Sequence, residues 1–313
     1  MFQQLAVIGC GLMGGSFALA LKRAGLVKRV IGYSKSPSTT DRAKRMGVID
    51  EAAESALLAV SGSDIIIMAV PVAASEVTFK TIRHLIEPSV LLMDVGSTKT
   101  DVVAAARRVL RERMPSFVPA HPIAGKELAG VKNADASLYQ GRRVILTPVQ
   151  QTNPILVQMA TDVWSKIGAQ VLLMSPENHD AAFAAVSHLP HMLAFAYFHS
   201  VVAQASGRDF LSLAGPGFRD FTRIAASDPT IWRDILMSNR DEVLKQSERF
   251  RHSLSQLEQW ITTGNGQALE EQIRLASEAR SSWQMGQMPP SVSSGSATAA
   301  MPLNTTIKPA DNR

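Results

Sequence analysis

Leu5-Ala6-Val7-Ile8 runs directly into Gly9-Cys10-Gly11-Leu12-Met13-Gly14-Gly15-Ser16 and then into the apolar stretch Phe17-Ala18-Leu19-Ala20-Leu21. A strand, a G-x-G-x-x-G turn and a helix in immediate succession leave few folds open. Each glycine has a separate physical reason: Gly9 for the tight exit from the strand, Gly11 for close approach of a phosphate, Gly14 for close packing of helix on sheet. The helix opening near Leu12 offers free N–H groups and the positive end of its dipole to an anion. Gly9, Gly11, Leu12, Met13 and Gly14 are therefore expected to hold the pyrophosphate of a dinucleotide.

The first half of the chain repeats the strand–helix alternation. Residues 29–33 and 64–70 read as strands, the second a continuous apolar run suited to burial on both faces. Pro71 ends it, which places Val70 and Pro71 beside the bound cofactor. Residues 90–95 form a further strand and 117–120 a shorter one. Helical patterns lie at 39–46, 74–86 and 99–113. More strands are expected at 143–147 and 170–173, with a helix over 154–167. Such alternation predicts an α/β Rossmann-type domain with a parallel, doubly wound sheet over residues 1–174. From 175 to 283 only helical patterns remain, so an all-α domain follows. By analogy such a domain forms the core of a homodimer. Residues 284–313 collapse to Pro, Ser, Gly, Ala, Thr and Met and read as a disordered tail.

Bulk properties exclude several classes. The 313 residues suffice for two domains, and 46% hydrophobic with 19% charged residues is ordinary globular composition. A net charge of +5 without a Lys/Arg block suits a small anionic substrate and not nucleic acid. The single cysteine, Cys10, permits no disulfide framework or zinc cluster. It reads as a small filler in the turn, and no metal site is expected. The start at Met1 lacks a basic signal-peptide region, and the apolar run 189–202 is too short for a membrane span and carries Pro190, His191 and His199. It reads as a buried helix, and the protein as cytoplasmic and free of membrane.

The second strand ends without the carboxylate that receives the ribose 2′-OH of NAD. Gly32-Tyr33-Ser34-Lys35-Ser36 stands there instead. Ser34 and Ser36 can hydrogen-bond a 2′-phosphate and Lys35 adds charge, which favours NADP over NAD.

Three later segments hold polar residues that a fold alone does not require. In Asp94-Val95-Gly96-Ser97-Thr98-Lys99, Ser97 and Lys99 follow a buried strand and are expected to point toward the nicotinamide, with Ser97 or Thr98 also free to cap the next helix. In His121-Pro122-Ile123-Ala124-Gly125, His121 sits at a strand end with a pKa suited to general-base work. The third group is Ser187-His188-Leu189-Pro190-His191 with Gly217-Phe218-Arg219-Asp220-Phe221-Thr222-Arg223. Arg219 and Arg223 at a glycine-rich turn suit a substrate carboxylate, or equally pair with Asp220 and Asp228. His188 and His191 are pocket candidates, or equally helix-capping or satisfied core histidines.

Taken in order, Gly9–Ser16, 94–99, 121–125, 187–191, 217–225 and Asp228-Pro229-Thr230-Ile231-Trp232 resemble the prephenate/arogenate (cyclohexadienyl) dehydrogenase family of tyrosine biosynthesis, over residues 3 to 283. The resemblance implies oxidative decarboxylation of a hydroxycyclohexadiene, with hydride passing to NADP or NAD. His121 matches the histidine that takes the hydroxyl proton, and Ser97 the serine that binds that hydroxyl. Arg219 matches an arginine for a substrate carboxylate, and His188 and His191 fall where the family lines its pocket. It also implies a homodimer through the helical domain. The chain departs from the pattern at the missing acid after the second strand and at Pro216. Two other readings use the same cofactor turn: a β-hydroxyacid dehydrogenase or imine reductase, and a non-catalytic sensor of the NADP(H) ratio.

Overall fold

The computed structural model describes residues 1–125 and 128–284. The segment 284–313, apart from Gln284, lies outside the described residues. In chain order the elements are β1 (Phe2–Ile8), α1 (Leu12–Arg23), β2 (Val27–Tyr33), α2 (Pro37–Arg45), β3 (Glu51–Ala52), α3 (Ala56–Val60), β4 (Ile65–Met68), α4 (Ser75–Ile82), β5 (Leu91–Asp94), α5 (Thr100–Leu110), β6 (Phe117–Val118), β7 (Ala120–Pro122), β8 (Arg143–Leu146), α6 (Pro154–Lys166) and β9 (Gln170–Leu173). Helices follow: α7 (Pro176–Phe183), α8 (Leu189–Val202), α9 (Gly207–Ser212), α10 (Pro216–Thr222), α11 (Pro229–Ser238), α12 (Arg240–Thr262) and α13 (Gly266–Ser282).

The main sheet has six parallel strands in the order β3-β2-β1-β4-β5-β6, the doubly wound arrangement with its crevice at the carboxyl ends beside β1. Alternate residues feed its two faces. Leu5, Val7, Ile65, Ile67, Leu91 and Met93 pack with Phe17, Leu21 and Trp164 on one side. Ala6, Ile8, Ile66, Met68 and Leu92 pack with Phe79, Ile82, Val109 and Phe117 on the other. Burial on both faces is why these strands read as unbroken apolar runs.

The sheet departs from expectation after β6. Residues 117–120 do not form one strand: Pro119 has no N–H to give a ladder, and the chain passes there from β6 into a second, three-stranded sheet, β7-β8-β9. In it β7 runs antiparallel to β8, pairing His121 with Ile145, while β8 and β9 are parallel.

Two compact units divide the chain, Met1–Phe250 and the residues from Arg251 onward. The first extends well past residue 174 because α7 is bonded to the main sheet's own helices. The backbone N–H groups of Lys99 and Thr100 donate to the two carboxylate oxygens of Asp180, at 2.9 and 2.8 Å. In the second unit, the Asn265 side chain caps α13, and Arg274 pairs with Glu271 and Glu278 along its surface.

A π-turn over Ala184–His188 joins α7 to α8 without a break, giving one helix of 27 residues, Pro176–Val202. By length and composition it could cross a membrane, so the expected shortfall in length does not hold. The expected burial does not hold either. Only Leu189 and Ala194 of α8 are buried, while Tyr197, Phe198 and Val202 are exposed, because the described residues of the chain supply no second layer over that face.

Candidate active site

The glycine turn has the shape that anion binding needs. Gly9 has φ +98°, and a Cβ there would meet the Ala69 carbonyl oxygen at 2.2 Å. A Cβ on Gly14 would meet the Gly9 carbonyl oxygen at 2.2 Å and Val7 at 2.8 Å. At Gly11, by contrast, nothing lies within 4 Å. Gly11 is the N-cap of α1, with no side chain capping the helix and no acid in its first turn. The open cradle at an uncapped helix N-terminus fits a dinucleotide pyrophosphate. The first turn is held from behind by the Tyr139 hydroxyl, which donates to the Met13 carbonyl at 2.7 Å. Cys10 is buried, with its thiol pushed up to about 11 by that burial, as a filler residue should be. Its N–H donates to Ser34 Oγ at 2.9 Å, which ties the end of β2 to the turn. Ser36 and Ser38 share a hydrogen bond at 2.9 Å at the start of α2.

Register brings the other polar segments to the same edge: Ile8, Met68 and Asp94 are lateral neighbours at the carboxyl ends of β1, β4 and β5. A cavity of about 160 Å³ is lined by Ser97, His121, Phe183, Ser187, His188 and Trp232, among others. Ser97 and His121 thus line one chamber.

Lys99 does not join them. Its Nζ is fully buried, donating to Asp94 Oδ2 at 2.5 Å and to the Ala120 carbonyl at 2.7 Å. Burial pulls its pKa down against the opposing pull of Asp94. The expected cofactor contact is therefore replaced by an internal brace: the positive charge satisfies a buried carboxylate it would otherwise leave unpaired. The same carboxylate receives the N–H groups of Gly96 and Ala120 at 2.9 and 3.0 Å. Asp94 and Lys99 together pin the Ser97 loop to β7, and so to His121.

Neither Ser97 nor Thr98 caps α5. Asp180 does so from a distance of 81 residues. Behind His121 stands a pair that sequence reasoning passed over. His121 Nδ1 lies 2.8 Å from His179 Nε2, and His179 Nδ1 lies 2.8 Å from Asp180 Oδ1. His179 and Asp180 are buried. Burial pushes the Asp180 pKa up, but hydrogen bonds from His179 and Thr100 outweigh it and hold the carboxyl low. Burial holds His179 neutral, partly opposed by Asp180. For His121, burial and the charges of His179, Lys99 and His188 hold the pKa well below 6.5. Asp180 can only accept, so His179 Nδ1 carries its hydrogen and His179 Nε2 accepts from His121 Nδ1. That places the His121 lone pair on Nε2.

His188 is buried on the cavity wall, receiving the Asn239 side-chain N–H at Nδ1 over 3.0 Å. Burial lowers its pKa to about 4. His191 does not line the cavity itself. It donates from Nδ1 to the Ser187 carbonyl at 2.9 Å and stacks on Trp232 with ring centres 3.5 Å apart. Burial and the charge of Arg223 lower its pKa.

The turn expected to carry both arginines is instead helical. Pro216 occupies the first turn of α10, where its missing N–H and fixed φ are tolerated. Arg219 projects from α10 with 77% of its side chain exposed and pairs with Asp220 at 3.4 Å. It lies outside the cavity lining. Asp228, the other possible partner, caps α11 through the N–H groups of Thr230 and Ile231.

The buried histidines set an acid limit on stability. Each binds a proton near pH 6.5 when unfolded but holds it off in the folded state, His188 down to about 4. Between those values the unfolded chain binds more protons, so folding stability is full above about pH 6.5 and falls as the pH drops toward 4. Urea unfolding across that range should show the decline, and His188→Gln should flatten it; an unchanged slope would contradict the assignment.

Residues 17–173 match the nucleotide-binding domain of prephenate dehydrogenase, and residues 175–275 match its dimerization domain. The chain belongs to the prephenate dehydrogenase family. Prephenate dehydrogenase of Bacillus subtilis is 34% identical over 278 residues, 88% of this chain and 75% of that one. Cyclohexadienyl dehydrogenase of Zymomonas mobilis is 33% identical over 89% of this chain and 95% of its own length. A crystal structure of prephenate dehydrogenase from Aquifex aeolicus in complex with hydroxyphenyl propionate and NAD+ superposes with a TM-score of 0.85 and 35% identity, covering 90% of this chain and 98% of that one. Members of the prephenate dehydrogenase family are oxidoreductases of tyrosine biosynthesis, and this chain is a dehydrogenase of that family.

Proposed function

We propose that the chain oxidatively decarboxylates prephenate or arogenate, using NADP in preference to NAD. The observation that carries this reading is that Ser97 and His121 line one chamber while His121 Nδ1 is engaged by His179. When bound, the nicotinamide accepts the hydride from the ring carbon. His121 Nε2 takes the proton of the ring hydroxyl as the C–O bond gains double-bond character. The Ser97 hydroxyl hydrogen-bonds the same oxygen and fixes its position against the imidazole. Loss of carbon dioxide is driven by aromatisation and asks no acid of the protein.

His188 and Trp232 bound the ring, and His191 backs Trp232. Arg223, which acts on His191, takes the substrate carboxylate in place of Arg219. Pyrophosphate falls to Gly9, Gly11, Leu12, Met13 and Gly14, with Val70 and Pro71 at the neighbouring strand end. Ser34, Lys35 and Ser36 take a 2′-phosphate, since β2 ends at Tyr33 with no acid after it. A homodimer covers the exposed Tyr197, Phe198, Phe210 and Phe221, in keeping with the dimerization-domain match.

The test is a steady-state assay of prephenate and arogenate, each with NADP and NAD, following reduced nicotinamide. Turnover of either substrate is expected, with the higher kcat/KM for NADP. A strong NAD preference would remove the role of the Ser34-Lys35-Ser36 segment. Cofactor binding without turnover of any pair would favour a sensor.

A further inference from the structure

We propose that His179 and Asp180 form a proton-holding pair behind His121, which fixes the reactive tautomer and takes up the charge that His121 acquires during turnover. The proposal rests on the reading of His121 as general base. Its foundation is geometric: three side chains in line, 2.8 Å between His121 and His179 and 2.8 Å between His179 and Asp180, two of them fully enclosed. The His121 and His179 rings meet edge-on, with centres 5.0 Å apart, and Phe183 stacks on His179 at 4.4 Å. Packing therefore holds both rings in the alignment the hydrogen bonds use.

The protons balance without any redox change in the protein. The substrate O–H bond breaks as His121 Nε2–H forms. The His121 Nδ1–H bond breaks as His179 Nε2–H forms, leaving His121 neutral and His179 an imidazolium. Its Nδ1–H remains on the Asp180 carboxylate. When product leaves and water enters, His121 Nε2–H passes to water and the His179 Nε2 proton returns to His121 Nδ1. One proton has then gone to solvent and every residue is as it began.

Electrostatics favour the shift. An imidazolium on His121 would face Lys99, with no carboxylate in contact among the described residues. On His179 it also feels Lys99, but contacts Asp180 and feels Asp94. Asp180 is held by the N–H groups of Lys99 and Thr100 and cannot turn away. Asp180 also lines a cleft of about 470 Å³, together with Asp101, Glu177, Asp241 and Glu242 and with Arg240. The balance of charge there is negative, which also draws a cation toward the pair.

Two substitutions separate holding a proton from positioning the ring. His179→Gln keeps an acceptor near the Nε2 position but cannot hold a proton; His179→Ala leaves a space for imidazole. For both, kcat is expected to fall about 10²-fold, the scale of a proton-transfer contribution, with KM and cofactor binding changed less than about threefold. The acid limb of the kcat/KM profile should move to higher pH, because a ring that buries His121 and helps hold its pKa low is gone. Added imidazole should restore His179→Ala at least about tenfold and leave His179→Gln unchanged. Wild-type kcat in His179→Gln would overturn the proposal, since orientation alone would then suffice. Failure of imidazole to rescue a folded His179→Ala would do the same, and a thermal melt with cofactor titration establishes that fold. No turnover by the unaltered enzyme, or full turnover by His121→Asn, would instead overturn the general-base reading beneath it.

Discussion

His121→Asn is expected to lower kcat by about 10²–10⁴-fold, the range supplied by a positioned general base, and to leave cofactor affinity within about threefold of the original. Asparagine reproduces the Nδ1 side of the imidazole, so its amide N–H can still reach His179 Nε2, now 2.8 Å from the ring. The Nε2 side is lost, and with it the lone pair. The substitution thus removes the base while keeping the wall and the bond behind it. Steady-state kinetics on the better substrate, with a nicotinamide fluorescence titration on the same sample, read both quantities. A kcat within threefold of wild type would mean that another group takes the proton.

Lys99→Met should have the largest effect on stability. Methionine keeps the length of the stem and removes the charge that Asp94 depends on. Breaking a buried pair by deleting one partner costs about 3–5 kcal/mol, because the remaining charge is left uncompensated. Two backbone N–H groups still reach Asp94, which places the expected loss toward the lower end. Asp94→Asn combined with Lys99→Met should recover part of it, since no charge is then stranded. Denaturant midpoints of the three variants measure this. A single variant as stable as the parent would show that the brace contributes nothing. The chemistry should suffer as well, because Lys99 Nζ also binds the carbonyl of Ala120, the residue before His121.

What is legible in the sequence depends on distance along the chain. The glycine turn, β4 and β5 were legible because their signals are local: a run, a turn, a helix. His121 and Ser97 stood out because each follows a strand whose end faces the crevice. His179 and Asp180 did not. They sit in α7 as ordinary polar residues of a helix, and their partners lie 58 and 81 residues away. No local signal pointed to them, because Ser97 and Thr98 stand close enough to be read as caps of α5, and only the structure shows that neither caps it. The inward turn of Lys99 is hidden from the sequence for a related reason. A lysine after a strand points to the crevice by default, and only the buried Asp94 five residues earlier turns it inward. Pro119 and Pro216 were visible, but their effects, a change of sheet and the start of a helix, depend on what the neighbouring chain offers. The exposed face of α8 could not be foreseen from its apolar composition, which is the same whether the covering layer is its own chain or another.

The wide turn at Ala184–His188 sets how the histidine-rich stretch must be counted. Each helical residue advances about 100° around the axis, and a π-turn accommodates one more residue than an α-turn in the same rise. Everything after it is rotated in phase relative to His179 and Phe183. A wheel drawn with a uniform 3.6-residue period from Pro176 to Val202 would assign His188 and His191 to the wrong azimuth. An alignment that absorbs the extra residue as a gap elsewhere would carry the same error into a homologue. The spacing Ser187-His188-Leu189-Pro190-His191 is therefore an address on an irregular helix, and transfers only to chains that keep the irregularity.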